Sequence, residues 1–180
     1  MSKNYISIFI SMIIACISYF LPSWDFDNYE KSYLLSASSE QFLNLRFETL
    51  YNIIFYFSSQ FLTFVQFRTG EIFLIFFLLT SSIIKITNYF KEKLNINFNQ
   101  FIILSIFVTL SGLAPLYGTR QAVAIGLSCY FLTTYLETNI IKSLSIIFLI
   151  SQIHLPVALN NLLINIIIII SKIIKKKFKK

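Results

Sequence analysis

Long apolar runs separated by short polar breaks dominate the hydrophobic pattern of this chain. A helix that crosses a membrane needs about 20 mainly apolar residues. The runs are continuous and do not alternate between apolar and polar positions, so they predict helices rather than amphipathic strands. We therefore expect an all-α, polytopic bundle of transmembrane helices. The apolar runs cover residues 5–21, 72–86, 98–116, 120–136, 140–154 and 156–174, and a more polar stretch covers residues 48–67.

Positive charge decides how many of these stretches cross the membrane. If all seven crossed from a cytoplasmic N-terminus, the lysine-rich tail at residues 172–180 would lie outside. Cytoplasmic segments normally carry the excess of Lys and Arg. We therefore predict about six spans, with residues 48–67 forming a surface or re-entrant helix and both termini in the cytoplasm. The lysines that this topology places inside are Lys3, Lys91, Lys93, Lys142 and those of the tail.

The chain is expected to form a single membrane domain over residues 1–180, with an external loop at residues 22–47 that contains one or two surface helices. Of its residues 56% are hydrophobic and 13% charged, and the formal net charge is +7. The basic tail follows an apolar helix directly, which indicates attraction to anionic membrane lipids rather than binding to nucleic acid. Cys16 and Cys129 both lie in apolar runs, and no sequence pattern for a metal or cofactor is present.

Asp25, Tyr29 and Tyr33 follow the first apolar run at intervals of four residues, so in a helix they share one face. Aromatic rings cover the C–H faces of sugars, and a carboxylate accepts hydrogen bonds from hydroxyl groups or acts as a general base. The spacing therefore indicates a sugar-binding surface. The alternative interpretation is an aromatic belt with solvated acids at the membrane interface.

Three further ionisable residues are predicted to lie on the same external side. Arg120 stands between two apolar runs, where charged groups are costly and tend to be functional, and its guanidinium suits a diphosphate. Glu48 precedes the more polar helix, and His154 is the sole histidine. Simpler roles remain open for each, namely binding a lipid headgroup for Arg120, helix capping for Glu48 and a structural role for His154.

The order of these residues resembles the EpsG-like family of exopolysaccharide and O-antigen polymerase-type membrane proteins. The resemblance extends from about residue 22 to residue 158, and this chain is expected to be a short or truncated member because it is shorter than most of the family. Pro156 stands where the family often has a small polar residue. The residues that carry the resemblance are Asp25, Tyr29, Tyr33, Glu48, Arg120, Gln121, Ala124 and His154.

The resemblance implies that the protein polymerises or transfers sugar units carried on polyprenyl diphosphate, at the outer face of a bacterial cytoplasmic membrane. Arg120 would then hold the diphosphate, and Asp25, Glu48 or His154 would orient or deprotonate the acceptor hydroxyl. Polysaccharide assembly or export proteins would be the partners. The remaining residues expected to contact the substrate are Asp27, Tyr29, Tyr33 and Gln121.

Two other functions fit the same topology, so enzymatic activity stays open. One is a membrane glycosyltransferase that uses a phospholipid-linked sugar, with Asp25 and Asp27 as an acidic pair that binds a divalent cation. The other is a non-catalytic, truncated subunit of a polysaccharide export complex. Metal dependence of activity would distinguish the first of these from the polymerase.

Overall fold

The structure, a computed structural model, describes residues 3–20, 26–37, 49–95, 99, 119–132 and 140–178. All regular elements in these ranges are helices, which confirms the all-α prediction. They are α1 (Lys3–Tyr19), α2 (Phe26–Ser36), α3 (Thr49–Ser59), α4 (Phe64–Leu94), α5 (Thr119–Tyr130), α6 (Ile140–Ser151) and α7 (Leu155–Phe178).

Helix α4 is the longest described helix, and signals at both ends fix its limits. Thr63 and Gln66 form a capping box: the Thr63 side chain accepts from the Gln66 N–H at 3.3 Å, and the Gln66 side chain accepts from the Thr63 N–H at 2.9 Å. At the other end Asn95 adopts the left-handed conformation with φ 55°. Lys91 and Lys93 lie in the last turn, where positive charge complements the helix dipole.

The start of α4 differs from the sequence expectation. The hydrophobic pattern predicts one helix over residues 48–67 and a polar break at residues 68–71, before the apolar run that begins at residue 72. The chain instead breaks at residues 60–63, between α3 and α4, and residues 68–71 continue the first turns of α4. The capping box sets this start. Gly70 faces open space there, while Arg68 and Glu71 are buried in the protein interior.

One of the described helices, over Phe64–Lys93, is long and apolar enough to cross a membrane by itself. The other apolar helical stretches are shorter, at Tyr5–Ile17, Ile141–Ser151 and Leu155–Ser171. The described helices therefore do not support six full-length spans. A turn at residues 152–153 ends α6 at Ser151, three residues before the end of the apolar run predicted over residues 140–154. The predicted span at residues 98–116 lies outside the described residues.

Helices α4 and α5 pack side by side and run parallel. Gly126 of α5 comes so close to α4 that a Cβ there would lie 3.2 Å from the Leu78 Cβ. Further along both helices, the Lys85 ammonium donates to the Tyr130 carbonyl at 3.2 Å and lies 4.2 Å from the Tyr130 ring centre. Because the contacts advance in the same direction on both helices, the end of α4 and the start of α5 lie at opposite ends of the pair.

Helices α6 and α7 form a hairpin whose second helix is also parallel to α5. The His154 N–H donates to the Ile150 carbonyl at 2.8 Å in the connecting turn. Ile153 lies near the start of α5, next to Val123 in a cavity wall, and further along the Asn161 amide donates to the Ser128 hydroxyl at 2.6 Å. The turn therefore lies at the same end as the starts of α4 and α5, and the basic ends of α4 and α7 lie together at the other.

Several small polar side chains of α1, α6 and α7 are buried in the protein, whereas many of their large apolar side chains are exposed, although Ile147 and Ile150 of α6 are buried. On α1 the fully buried residues are Ser7 and Ser11, while Tyr5 and Phe9 are about two-thirds exposed. This division is the reverse of that in a water-soluble helix. The other buried polar residues are Ser143, Asn161 and Asn165, and the other exposed apolar residues include Ile141, Phe148, Leu163 and Ile167.

A cluster of aromatic rings fills the space between α2, α3 and the start of α4. Tyr33 lies at its centre, with ring centroids 5.3 Å from Phe55 and 5.1 Å from Phe67. Phe55 and Phe67 meet edge to face at 5.2 Å. Such pairs add to the stabilisation that burial of the rings already provides. The short helices α2 and α3 are thereby held against α4.

The two helical glycines Gly70 and Gly126 provide a test of the α4–α5 contact. Alanine at Gly70 meets no atom within 4 Å, so Gly70→Ala should raise the free energy of unfolding by about 0.5–1 kcal/mol through helix propensity. Gly126→Ala should give a smaller gain or a loss, because its Cβ would press on Leu78. Unfolding of both variants in detergent micelles measures this difference, and equal gains would contradict the close approach of α5 to α4.

Candidate functional site

Charged and phenolic side chains from four helices converge at the end of the protein where α4 and α5 begin. Two guanidinium groups, one carboxylate and three tyrosines meet there. We call this group the polar cluster. Its members are Tyr29 and Tyr33 of α2, Tyr51 of α3, Arg68 and Glu71 of α4, and Arg120 of α5.

Glu71 is the buried acid of the polar cluster, with 8% of its surface exposed. The Tyr51 hydroxyl donates a hydrogen bond to Glu71 Oε1. Arg68 lies one turn earlier on α4, is 6% exposed, and interacts electrostatically with the Glu71 carboxylate. A buried carboxylate is costly unless it is paired and hydrogen-bonded, so Arg68 and Tyr51 together account for its position.

Arg120 joins α5 to both α2 and α3. Its Nε donates to the Tyr29 hydroxyl at 3.3 Å, and its guanidinium carbon lies 5.9 Å from the centre of the Tyr51 ring. The Arg120 side chain is partly exposed, in contrast to Arg68. A guanidinium in this position can form parallel hydrogen bonds to two oxygens of a phosphate group. The site can therefore bind an anion at its accessible side.

Tyr33 is part of the hydrophobic core. Its side chain is 2% exposed, and its hydroxyl donates to the Leu62 carbonyl at 3.0 Å, which ties α2 to the turn before α4. Burial, together with the charge of Glu71, raises the pKa of Tyr33 to about 12. The phenol therefore stays protonated at neutral pH and acts as a hydrogen-bond donor, not as a base.

The structure brings some of the predicted site residues together. Tyr29 and Tyr33 share the buried face of α2, and Tyr29 contacts Arg120 directly. Asp27 and Gln121 are exposed, at the starts of α2 and α5. His154 is partly buried in the turn between α6 and α7, at the same end of the protein as Arg120. Asp25 and Glu48 lie outside the described residues.

Sequence reasoning missed Tyr51, Arg68 and Glu71. The polar residues 68–71 suggested a chain break, although Thr63 and Gln66 form a capping signature that places a helix start before them. Arg68 and Glu71 then fall on one helix face, three residues apart. An ionisable pair inside an otherwise apolar helix is a functional signal in its own right.

A cavity of about 250 Å³ adjoins the polar cluster. It opens between α3 and α4 and reaches inward to α5 and the end of α6. Its walls are mainly apolar, and Glu71 is the one acidic residue among the described residues that line it. The lining residues are Tyr51, Ile54, Leu62, Gln66, Phe67, Gly70, Glu71, Leu74, Val123 and Ile153.

Comparisons with protein-family models, curated proteins and solved structures found no match for this chain. Within the described ranges, no three His, Cys, Asp or Glu side chains converge in an arrangement that could hold a metal ion.

The hydrogen bond from Tyr51 to Glu71 can be tested by removing one oxygen atom. Tyr51→Phe leaves the buried carboxylate without this donor, so the free energy of unfolding should fall by about 1–3 kcal/mol. Tyr5→Phe, at an exposed tyrosine, is the matched control and should change it by less than about 0.5 kcal/mol.

Denaturant unfolding in detergent micelles measures both effects. Adding Glu71→Gln completes a double-mutant cycle, in which the loss caused by Tyr51→Phe should become smaller because the charged acceptor is gone. Additive losses would show that Tyr51 and Glu71 are not coupled.

Proposed function

We propose that this protein is a multi-pass membrane protein of surface polysaccharide biosynthesis, which uses Arg120 to bind a sugar carried on polyprenyl diphosphate. The observation that carries the proposal is the contact between Arg120 and Tyr29, which are 91 positions apart in the chain. Both residues belong to the set that resembles the EpsG-like family. Their meeting is expected if this set forms one substrate site.

The outward-facing apolar surface supports the membrane part of the proposal. Helices α1, α6 and α7 bury Ser and Asn while they expose Ile, Leu, Phe and Tyr. In water such a surface would be unstable, whereas in lipid it meets a matching environment and polar groups between helices remain shielded. Part of this apolar surface would contact lipid tails in a bilayer.

The direction of the helices supports the proposed orientation. The polar cluster and the turn at His154 lie at one end of the described helices, and Lys91, Lys93 and the end of α7 lie at the other. Since positive charge favours the cytoplasmic side, the polar cluster would face outward. That is the side on which lipid-linked sugar units are proposed to react.

The chemistry required of Arg120 is stabilisation of a leaving group. As the acceptor hydroxyl attacks the sugar carbon, the bond to the diphosphate breaks and negative charge grows on the departing oxygen. A fixed guanidinium lowers the energy of this charge without a proton transfer. The acceptor proton would pass to Asp25, Glu48 or His154, the candidate bases that the resemblance names.

Polymer analysis in cells that depend on this chain tests the role of Arg120. Arg120→Ala should reduce long-chain polymer by about 10²–10³-fold, the range found when a transition-state donor is removed. Arg120→Lys should restore activity only in part, because lysine lacks the planar fork. Lys142→Ala, at an exposed lysine on α6, is the control and should leave the polymer unchanged. Normal polymer from an Arg120→Ala protein that reaches the membrane would refute the role.

Reporter fusions test the orientation independently of activity. Fusions after Lys91 and at the C-terminus should both report a cytoplasmic position, because both follow the basic ends of helices. An external signal from either fusion would place basic residues on the wrong side and would overturn the proposed topology.

A further inference from the structure

The cavity beside the polar cluster combines apolar walls with one buried acid. Phe67, Val123 and Ile153 are buried and form its inner walls, while Ile54 and Leu74 are exposed at its rim. Gly70 also lies at the rim and leaves open space where any other residue would place a Cβ. The cavity is therefore accessible from the surface between α3 and α4.

The Glu71 carboxylate has room for a second hydrogen-bond donor. Oε1 accepts from the Tyr51 hydroxyl, which is the one hydrogen-bond donor to this carboxylate in the part of the chain that the structure describes. An ionised carboxylate has about four acceptor positions on its two oxygens. Since Glu71 lines the cavity, a ligand there can reach the carboxylate. A ligand with a donor group would gain a hydrogen bond that the apolar walls cannot provide.

The charges around Glu71 select a neutral donor. Arg68, on the same helix, already balances the negative charge of the carboxylate. An ammonium group would add a second positive charge to this balanced pair, and a ligand carboxylate or phosphate would be repelled by Glu71. A hydroxyl group donates a hydrogen bond without changing the net charge, so it fits the site best.

The volume of the cavity limits the apolar part of the ligand. A cavity of about 150 Å³ accommodates benzene, so the 250 Å³ present here suits a chain of about ten carbon atoms. A longer chain would extend past the exposed rim residues Ile54 and Leu74. The shape and the lining thus match the hydroxyl-bearing end of an aliphatic molecule.

We propose that this cavity is a binding site for a neutral aliphatic alcohol, whose hydroxyl donates to the Glu71 carboxylate and whose hydrocarbon chain lies against Phe67, Val123 and Ile153. Arg120 does not line the cavity, so the alcohol site is separate from the proposed diphosphate site. A variant that loses alcohol binding can therefore still be tested for polymer formation, and a variant that loses polymer formation can still be tested for alcohol binding.

Photolabelling of the full chain in lipid nanodiscs tests the site with a diazirine-bearing octan-1-ol. Labelling should be saturable, should fall on peptides that contain the cavity residues of α3 and α4, and should be displaced by octan-1-ol. Octane, octanoate and octylammonium at equal membrane concentration should each displace the probe about tenfold less well, since none of them gives a neutral donor to Glu71. Equal displacement by all four compounds, or unsaturable labelling, would overturn the proposal.

Two variants separate the carboxylate from the cavity itself. Glu71→Gln should lower the preference for octan-1-ol over octane, because a neutral amide oxygen accepts a weaker hydrogen bond than a carboxylate. Glu92→Gln, at an exposed acid of the same helix, is the control and should leave this preference unchanged. Gly70→Leu should abolish saturable labelling by filling the rim, and it requires no change in the interior. Saturable labelling that persists in Gly70→Leu with its alcohol preference intact would place the site elsewhere.

Discussion

The buried Glu71 carboxylate is the constraint on which the arrangement of four helices depends. A charge with so little exposure is tolerated only where an opposite charge and a hydrogen-bond donor are held against it. Arg68 supplies the charge from the same helix, and Tyr51 supplies the donor from α3. Arg120 lies over the Tyr51 ring and thereby joins α5 to the same point. Satisfying one acid thus brings the ends of separate helices together.

The rest of the helix packing follows a different physical rule. Between α4 and α5 the backbones approach closely at Gly126, and α1 buries Ser7, Ser11 and Ala15 on one face. Small residues at helix contacts let the backbones approach closely, which gains van der Waals contact between the helices. The same face-by-face division leaves Ile, Leu and Phe on the outside. The hydrogen bond and the charge pair at Glu71 therefore stabilise one end of the structure. Close packing of small residues stabilises the helix contacts along the rest of its length.

The sequence allowed the helical class and part of the site to be predicted, because both rest on local patterns. Continuous apolar runs indicate helices, and the four-residue spacing of Tyr29 and Tyr33 indicates a shared face. Arg120 could be predicted as a site residue because a single guanidinium between apolar runs is costly and tends to be functional. Glu71 could not, because its partner Tyr51 lies 20 positions earlier in a different helix and the pairing is visible only in three dimensions.

Helix lengths were harder to predict than helix positions. A run of apolar residues in the sequence indicates which positions avoid water, but it does not indicate where the backbone turns within the run. The turn after Ser151 illustrates this, since Gln152 and Ile153 keep the run largely apolar while the backbone leaves the α-helix. The opposite occurs at residues 68–71, where polar side chains suggested a break in a continuous helix. Local hydrogen bonds mark both places: backbone bonds close the turn after Ser151, and the Thr63–Gln66 capping box starts the helix that runs through residues 68–71.

The two arginines of the polar cluster are not equivalent, and this difference gives the site its chemical character. Arg68 is buried beside Glu71, so its charge is balanced inside the protein. Arg120 is partly exposed and contacts neutral phenols at Tyr29 and Tyr51. Arg120 is thus the guanidinium of the cluster that solvent can reach. Tyr33 adds no charge to the cluster, because a phenol is neutral at physiological pH and burial raises the pKa of Tyr33 further, to about 12. The polar cluster thus combines a partly exposed guanidinium at Arg120 with a buried carboxylate at Glu71 that Arg68 balances.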